Sequence, residues 1–248
     1  MKFKLLIFFL IIGQALFAQQ DTLEIEDIDT NSYYSGFFVQ AHCAPFFTSN
    51  LYTKTIIDSY TNPVNPNNLE KEQVSSLLGI NLGYLSKDWI VLTGIHFTHR
   101  KSDFHLEETQ EIISGDDTST TTISIDYLNQ YQDIHIPLSF GYITNFNKWS
   151  LAIKAGIYFS VNLKNDGYTY DFKEKELINL NENFSTFLVS YSLDASLKYQ
   201  YNKRWGIFFN PFYISGINSM WKESPIYAWK QIHYGLSIGL EYNINKFE

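Results

Sequence analysis

The stretch "WSLAIKAGIYFSVN", residues 149–162, alternates between two kinds of side chain. Its odd positions carry bulky apolar residues, while the even positions include Lys154, Gly156 and Ser160. Because successive side chains of a β-strand point to opposite faces, this pattern predicts a strand with one apolar and one polar face.

The same period-two pattern recurs along the chain at Phe37–Cys43, Leu78–Tyr84, Trp89–Phe97, Ile134–Tyr142, Phe187–Tyr199 and Ile232–Ile244. An eighth, weaker strand is predicted over 205–218, where both faces are apolar and Pro211 cannot donate to a ladder, so we expect a bulge there. Repeated segments of about ten residues with an apolar face opposite Gly, Ser and charge are typical of transmembrane β-strands. A soluble sandwich also alternates, but its inner face would have to supply the bulk of a core.

The connections between these strands alternate in length. Short turns are predicted around 86–88, 145–148 and 200–204, and long polar loops near 47–72, 102–120, 164–185 and 219–231. The sequence therefore predicts an all-β fold, an eight-stranded antiparallel up-and-down transmembrane β-barrel with short periplasmic turns and long extracellular loops. Apolar positions are odd over Ile123–Tyr127 but even over Ile134–Tyr142, which predicts a second bulge or an out-of-membrane extension near 128–133.

A tyrosine–turn–tryptophan phrase marks the short turns, as "GYLSKDW" (83–89), "GYITNFNKW" (141–149) and "KYQYNKRW" (198–205). Amphipathic Tyr and Trp rings favour the headgroup layer of a membrane. We therefore predict a periplasmic aromatic girdle formed by Tyr84, Trp89, Tyr142, Trp149, Tyr199, Trp205 and Tyr242. Ordinary aromatic-rich hairpins are the alternative.

The N-terminal region has the pattern of an exported protein. Lys2 and Lys4 are followed by an apolar run and "GQALFAQQ" (13–20), which predicts a signal peptide over residues 1–18, cut near Ala18. Residues 19–33 form an acidic periplasmic segment, either a solvated tail or a docking segment for a basic partner, and 34–248 form the barrel.

Composition excludes two other classes of protein. The single cysteine, Cys43, rules out an internal disulfide framework. Without Lys2 and Lys4, 16 basic and 26 acidic residues leave a net charge of −10, so nucleic acid is not an expected partner.

Inward parity gathers charges of both signs in the predicted lumen: His42, Arg100, Lys154, Asp194, Lys198 and Glu241. Eight strands leave an interior just wide enough for side chains to fill. We expect a plugged barrel in which Lys154 and Lys198 pair with Asp194 and Glu241, since pairing makes buried charge tolerable. Weak pairing in residual water near the rims is the alternative, and a narrow small-solute channel would need a wet interior.

A candidate rim site lies in "HFTHRKSDFH", which holds His96, His99, Asp103 and His105. Histidine oriented by a carboxylate could act as a general base, but His96 and His99 have opposite parity and no serine elbow accompanies them. A metal site at His105, Glu107 and Glu108 is also disfavoured, because adjacent residues of a strand point to opposite faces. Loop carboxylates such as Asp116, Asp117 and Glu174 could bind calcium loosely, but they lack the spacing of an EF-hand loop, and solvated loop charge is the expectation. No catalytic residue, cofactor or metal is predicted.

The segment Tyr131–Leu163, "YQDIHIPLSFGYITNFNKWSLAIKAGIYFSVNL", resembles the central hairpin of the PorT-like outer-membrane β-barrel family of Bacteroidetes (porin family). That family has a Tyr-x-x-Ile-Pro-Leu strand followed by an "aGpY" strand, matched here by Tyr131, 136–138 and 155–158. The closing "YGLSIGLEYNI" is similar to its last strand, and the resemblance covers most of 35–247. It implies an outer-membrane location in a Gram-negative bacterium and, through some relatives, a link to type IX protein secretion.

These patterns favour a non-enzymatic integral outer-membrane barrel, an envelope structural or interaction component. Its expected surroundings are outer-membrane lipid and envelope or secretion-system proteins. The sequence leaves the oligomeric state open, with a monomer expected. A small barrel enzyme with a rim His/Asp site and a narrow small-solute channel are the alternatives.

The alternating loop lengths predict that the loops around 58–70 and 167–180 lie outside the cell. With Cys43 replaced, a cysteine introduced at Asn67 or Lys175 should react with a membrane-impermeant maleimide in intact cells. Labelling only after lysis would reverse the predicted orientation.

Overall fold

The computed structural model describes residues 35–54, 70–114, 117–166, 168–171, 176–179, 184–202, 204–220, 222 and 227–244. The predicted signal peptide (1–18) and acidic segment (19–33) lie outside these residues. Among the described residues there is no helix long and apolar enough to span a bilayer, a finding that does not bear on crossing by strands.

Eight antiparallel strands form the fold: β1 (Gly36–Lys54), β2 (Val74–Ser86), β3 (Trp89–Ser114), β4 (Asp117–Phe146), β5 (Trp149–Asp166), β6 (Phe187–Gln200), β7 (Trp205–Gly216) and β8 (Tyr227–Asn243). Each pairs with its neighbours in the chain. A three-residue strand, Glu70–Glu72, precedes β2 and pairs with β3 at Ser102–Phe104. Tyr168–Asp171 and Glu176–Asn179 form a separate small hairpin.

The sheet closes on itself because the first strand pairs with the last. The β1–β8 ladder runs from Phe38 opposite Asn243 to Lys54 opposite Tyr227. The predicted eight-stranded antiparallel barrel is confirmed, and each of its strands has hydrogen-bonded neighbours on both sides.

The two faces of each strand meet different surroundings. Along β2 the side chains alternate strictly between exposed and buried from Val74 to Ser86. The exposed positions carry Leu78, Ile80 and Leu82, and the buried ones include Ser75 and Asn81. The apolar face is therefore the exterior and the polar face the lumen, the reverse of a soluble protein.

The apolar exterior has the height of a membrane. On β1 it reaches from Phe37 to Phe47, both exposed. Ten residues at about 3.3 Å each, tilted by about 40°, span roughly 25 Å, the height of the apolar band on outer-membrane barrels.

Two of the short turns contain a residue in the left-handed backbone region. Lys87 and Asn147, the first residues of the turns after β2 and β4, have φ of 53° and 54°. Asparagine tolerates this region better than lysine. In the third turn the Asn202 side chain accepts from the backbone N–H groups of Arg204 and Trp205.

The prediction of a long loop over 102–120 is wrong. β3 and β4 continue as a paired ribbon to Ser114 opposite Asp117. β1 also extends to Lys54, into the predicted 47–72 loop. Alternation in "TTISIDYL" was the local sign of this extension.

The predicted bulge in 205–218 is also wrong. β7 pairs with β8 in one register from Trp205 to Ser215. Its ladder with β6 is interrupted at 210–211, where Pro211 has no N–H, but the register is the same on both sides. The second apolar face points into the lumen, where Phe208 is buried and Phe212 half-buried.

Near 128–133 the sequence predicted either a bulge or an extension beyond the membrane, and both are present. The bulge lies in the β4–β5 ladder and the extension in the β3–β4 ladder. The β4–β5 ladder shifts register between Gln132 and Asp133, and the extra residue is Leu163 on β5. The β3–β4 ladder keeps one register throughout, so positions 123, 125 and 127 share the inward parity of 131–143.

Arginine on the exterior should destabilise the barrel according to depth. Ile153 is 66% exposed and lies at mid-height on β5. Ile153→Arg should lower the free energy of unfolding by about 2–4 kcal/mol, whereas Phe146→Arg beside the turn should cost about 0–1 kcal/mol. Urea unfolding in lipid vesicles measures both, and equal costs would contradict a membrane belt centred near Ile153.

Candidate functional site

The residues that could carry function lie in two places, an aromatic ring at the turn end of the barrel and a polar lumen. The turn end is the end with the short connections, and the loop end is the opposite one. Both sets arise from the period-two alternation, because outward positions supply the ring and inward positions the lumen.

The aromatic ring consists of four cross-strand pairs. Its members are paired as Phe37–Tyr84, Trp89–Tyr142, Trp149–Tyr199 and Trp205–Tyr242, with ring centroids 4.9, 5.7, 4.8 and 4.9 Å apart. Each of the eight strands contributes one ring, since the pairs join β1–β2, β3–β4, β5–β6 and β7–β8. All seven predicted girdle residues lie in it. Sequence analysis missed Phe37, which lies near the start of β1, whereas β3, β5 and β7 each begin with a tryptophan.

At the loop end of the lumen, a buried ion pair joins β3 to β4. Arg100 Nε donates to Asp133 Oδ2 at 2.6 Å, and the two residues are 1% and 0% exposed. Asn162 Nδ2 donates to the other oxygen of Asp133 at 2.8 Å. Arg100 Nη1 donates to Gln231 Oε1, which ties β3 to β8 across the barrel. The guanidinium carbon also lies 5.0 Å from the centre of the Tyr131 ring.

Two further ion pairs lie deeper in the lumen. Lys154 Nζ is 2.8 Å from Asp194 Oδ1 and donates to Asn210 Oδ1 at 3.3 Å. Lys198 Nζ is 2.8 Å from Glu241 Oε1. Among the lumen residues described, three cations therefore face three carboxylates, and the pairs leave no net charge.

A chain of hydrogen bonds leads from Glu241 around the wall. Gln40 Nε2 donates to Glu241 Oε2 at 3.0 Å, and Asn81 Nδ2 donates to Gln40 Oε1 at 3.4 Å. His96 Nε2 lies 2.8 Å from Asn81 Oδ1, and the His96 ring meets that of His42 edge-on at 4.7 Å between centroids. This chain connects β8, β1, β2 and β3.

Two histidines near the loop end hydrogen-bond hydroxyl groups. His135 lies between Ser160 Oγ, 2.6 Å from Nδ1, and Thr98 Oγ1, 2.8 Å from Nε2. Thr98 in turn donates to Asp133 Oδ2 at 3.3 Å. His233 Nδ1 lies 3.1 Å from Thr48 Oγ1. The groups bonded to these two histidines are therefore hydroxyls. In a catalytic arrangement, a carboxylate would be bonded to the histidine directly and would orient it.

Buried apolar clusters lie at both ends of the lumen. The turn end holds Phe38, Leu85, Ile90, Leu92, Ile143 and Ala152. The loop end holds Tyr131, Phe184, Leu188 and Met220. Gly83 makes the first cluster possible, because a Cβ there would overlap the Phe38 ring.

Two cavities of about 30 Å³ each lie in the lumen, one beside Arg100 and Asp133 and the other beside His42 and Lys154. Leu77, Tyr158 and Phe212 contribute to the walls of both. Each has room for water-sized molecules only.

Of the six residues predicted for the lumen charges, the structure places five in ion pairs inside the barrel, and it adds residues that the sequence did not reveal. Asp133, the partner of Arg100, was missed because its segment carried the apparent parity slip. His42 lines the second cavity but makes no ion pair that the structure records.

The candidate rim histidines do not come together. His96 points inward, while His99 lies at the outward parity of β3. The side chains of Asp103, His105, Glu107 and Glu108, like those of the loop carboxylates Asp116, Asp117 and Glu174, lie outside the described part of the chain. Among described residues no group of three or more His, Cys, Asp or Glu could hold a metal ion.

An apolar exterior about one bilayer high, an aromatic ring at one rim and a neutralised polar interior define an integral outer-membrane β-barrel protein. A soluble protein would not expose such a belt to water.

Comparison with known proteins finds no matching family model and no matching curated protein. Among solved structures, the chain is similar to the outer membrane protein OprG from Pseudomonas aeruginosa, at 12% identity and a TM-score of 0.49, covering 88% of this chain and 100% of that one. It is also similar to Neisserial surface protein A, at 11% identity and a TM-score of 0.45, covering 85% and 98%. The attachment invasion locus protein of Yersinia pestis has 12% identity, a TM-score of 0.31 and coverage of 83% and 99%. No function is carried from these proteins to this chain at such low similarity.

Removing one member of the Arg100–Asp133 pair should destabilise the barrel strongly. Asp133→Asn leaves the buried guanidinium without its counter-charge and should cost about 3–5 kcal/mol of unfolding free energy, whereas adding Arg100→Met should recover much of that loss. Asp88→Asn in the first turn is the matched control, with an expected change within about 0.5 kcal/mol. Urea unfolding in lipid vesicles gives all three values. A cost for Asp133→Asn as small as that of the control would mean that the pair is solvated.

Proposed function

We propose that this protein is a non-enzymatic, closed outer-membrane barrel that acts as an interaction component of the cell envelope. The observation that carries the proposal is the filled lumen, in which three ion pairs lie between two apolar clusters. A barrel with a filled lumen does not conduct solutes, so its function depends on its surface. On this proposal, partners bind to the connections at the loop end.

The lumen argues against the small-solute channel. Conduction requires a continuous wet path, whereas the two cavities hold water-sized molecules only. Hydrogen bonds from the paired cations also join strands that are not neighbours in the sheet, β3 to β8 through Arg100 and Gln231, and β5 to β7 through Lys154 and Asn210. Opening a path would break several of these bonds together.

The described histidines do not favour catalysis. His135 and Ser160 are hydrogen-bonded, but both are buried and their cavity is too small for a substrate. A nucleophile needs space for the reacting group about 3 Å away. The Ser160–His135 contact therefore fits a role in packing the lumen.

The finer assignment follows from the resemblance of 131–163 and 234–244 to the PorT-like family of Bacteroidetes. On this proposal residues 1–18 direct export, the turn end faces the periplasm, and the envelope partners include components of a type IX-like secretion system. The support is the sequence pattern of Tyr131, 136–138 and 155–158. Loss of secreted cargo on deletion of the gene tests the secretion link.

The purified protein should show no steady conductance step in planar bilayers. As a positive control, Phe38→Ala together with Phe208→Ala removes two buried rings from the lumen and should introduce brief, small openings. Phe37→Ala with Phe209→Ala removes the same ring volume from the exterior and should stay silent.

A stable and reproducible current through the unmodified protein would overturn the closed-barrel proposal in favour of a channel. Hydrolase activity that disappears in a Ser160→Ala variant with an unchanged fold would instead establish an enzyme.

A further inference from the structure

The cavity beside Arg100 and Asp133, the loop-end cavity, is lined by two hydrogen-bond donors that have no acceptor. Arg100 and Gln231 are 1% and 5% exposed, and both side chains line this cavity of about 30 Å³. Arg100 Nη2 and Gln231 Nε2 have no hydrogen-bond partner in the described chain. Within the described lining, they are the only two buried side-chain nitrogen or oxygen atoms that lack one.

The contact between these two residues determines which atoms remain unpaired. Arg100 Nη1 donates to Gln231 Oε1. The amide nitrogen of Gln231 is therefore the end of the side chain without a partner. The NH₂ groups of a guanidinium and of an amide donate hydrogen bonds and do not accept them. The group that both of them require is an acceptor.

The second cavity of the lumen has a different chemistry. Its unpartnered buried atoms include His96 Nδ1 and Ser237 Oγ. A hydroxyl and a histidine nitrogen can accept as well as donate, so this mixed set suits water. A water in the loop-end cavity would accept from Arg100 and Gln231 but would still have its own two hydrogens to donate. An anion only accepts, so the loop-end cavity favours an anion.

The volume of the loop-end cavity restricts this anion to a single atom. A cavity of about 30 Å³ has room for water-sized guests. A halide ion fits, whereas a carboxylate or phosphate group does not. The Arg100–Asp133 pair has no net charge, so a halide alone would be an uncompensated buried charge, which is costly. A second positive charge must accompany the ion.

His135 can supply that charge without rearrangement of its neighbours. Its Nε2 lies 2.8 Å from Thr98 Oγ1, and Thr98 donates its own hydrogen to Asp133 Oδ2. Nε2 therefore carries a hydrogen and donates it to Thr98. Nδ1 lies 2.6 Å from Ser160 Oγ. When Nδ1 takes up a proton, the Ser160 hydroxyl turns to accept it, and both ring nitrogens then donate.

The charges around His135 link its protonation to the halide. Asp133 is negative and Arg100 is positive, so their effects on the ring oppose each other. A halide in the same cavity adds negative charge and favours the protonated ring. The described lining from β1, β2, β6 and β7 has no titratable side chain. The remaining titratable groups that face the ring are His96 on β3, Tyr158 on β5 and His233 on β8.

We propose that the loop-end cavity binds one halide ion, held by Arg100 Nη2 and Gln231 Nε2 and taken up together with a proton on His135 Nδ1. The ion completes the hydrogen bonds between β3 and β8, so the barrel is most stable in an acidic medium that contains halide. The site lies inside the lumen, and it does not depend on the partners proposed for the connections at the loop end.

The test uses the full protein, refolded into phosphatidylcholine vesicles in sodium bromide or, at the same ionic strength, in sodium gluconate. Bromide stands in for chloride and can be located by its anomalous X-ray scattering, whereas gluconate is too large for the cavity. Urea unfolding at increasing bromide concentration gives the dissociation constant. Crystals grown in bromide should show an anomalous peak within hydrogen-bonding distance of Arg100 Nη2 and Gln231 Nε2.

Gln231→Glu tests the donors. The carboxylate has the size of the amide and still accepts from Arg100 Nη1, but it places a negative oxygen where the donor nitrogen was. Bromide affinity should fall by at least about tenfold, because like charges in close contact repel. Asn210→Asp makes the same change beside Lys154 in the second cavity and should leave the affinity as it was.

The pH dependence tests the proton. Bromide affinity should rise about tenfold for each unit by which the pH falls, in the range where one proton enters with the ion. His135→Gln should abolish this slope. His42→Gln, which removes a histidine from the second cavity, should leave the slope as it was.

Three results would overturn the inference. Equal stabilisation of the Gln231→Glu variant and the unmodified protein by bromide would mean that the salt acts generally. A loop-end cavity without an anomalous peak would mean that water occupies it. A slope with pH that persists in the His135→Gln variant would mean that the proton is bound elsewhere.

Discussion

The requirement that no backbone polar group be left unpaired in lipid determines this structure. A sheet in a bilayer has no water to satisfy an edge, so its first and last strands must pair. The β1–β8 ladder meets this requirement over Phe38–Lys54. Once the sheet is closed, alternation along each strand sends one set of side chains to lipid and the other to the lumen.

Closure creates a second constraint, because an eight-stranded lumen is narrow and its side chains must satisfy one another. Charges that would be costly singly are present as pairs, and amides and hydroxyls connect the pairs across the barrel. The same network fills the interior between the two apolar clusters. The function proposed for this protein therefore lies at its surfaces, above all at the connections of the loop end.

The rim of the barrel is where the physical environment of the sheet changes. Inside the membrane, outward positions such as Ile153 are apolar because they face lipid. On β3 and β4 the register continues without a shift, yet the apolar residues move to the other parity beyond Tyr131. One continuous strand therefore carries two opposite sequence patterns.

The sequence by itself determined the barrel, the strand number, the inward charges and seven of the girdle residues, because a period of two assigns each residue to a face without knowledge of its neighbours. Tertiary structure decided what pairs across the lumen: Asp133 with Arg100, and Gln231 with the same guanidinium. It also decided that 205–216 is a regular strand and that 102–129 is a ribbon. Cross-strand partners depend on register and closure, and a local pattern specifies neither.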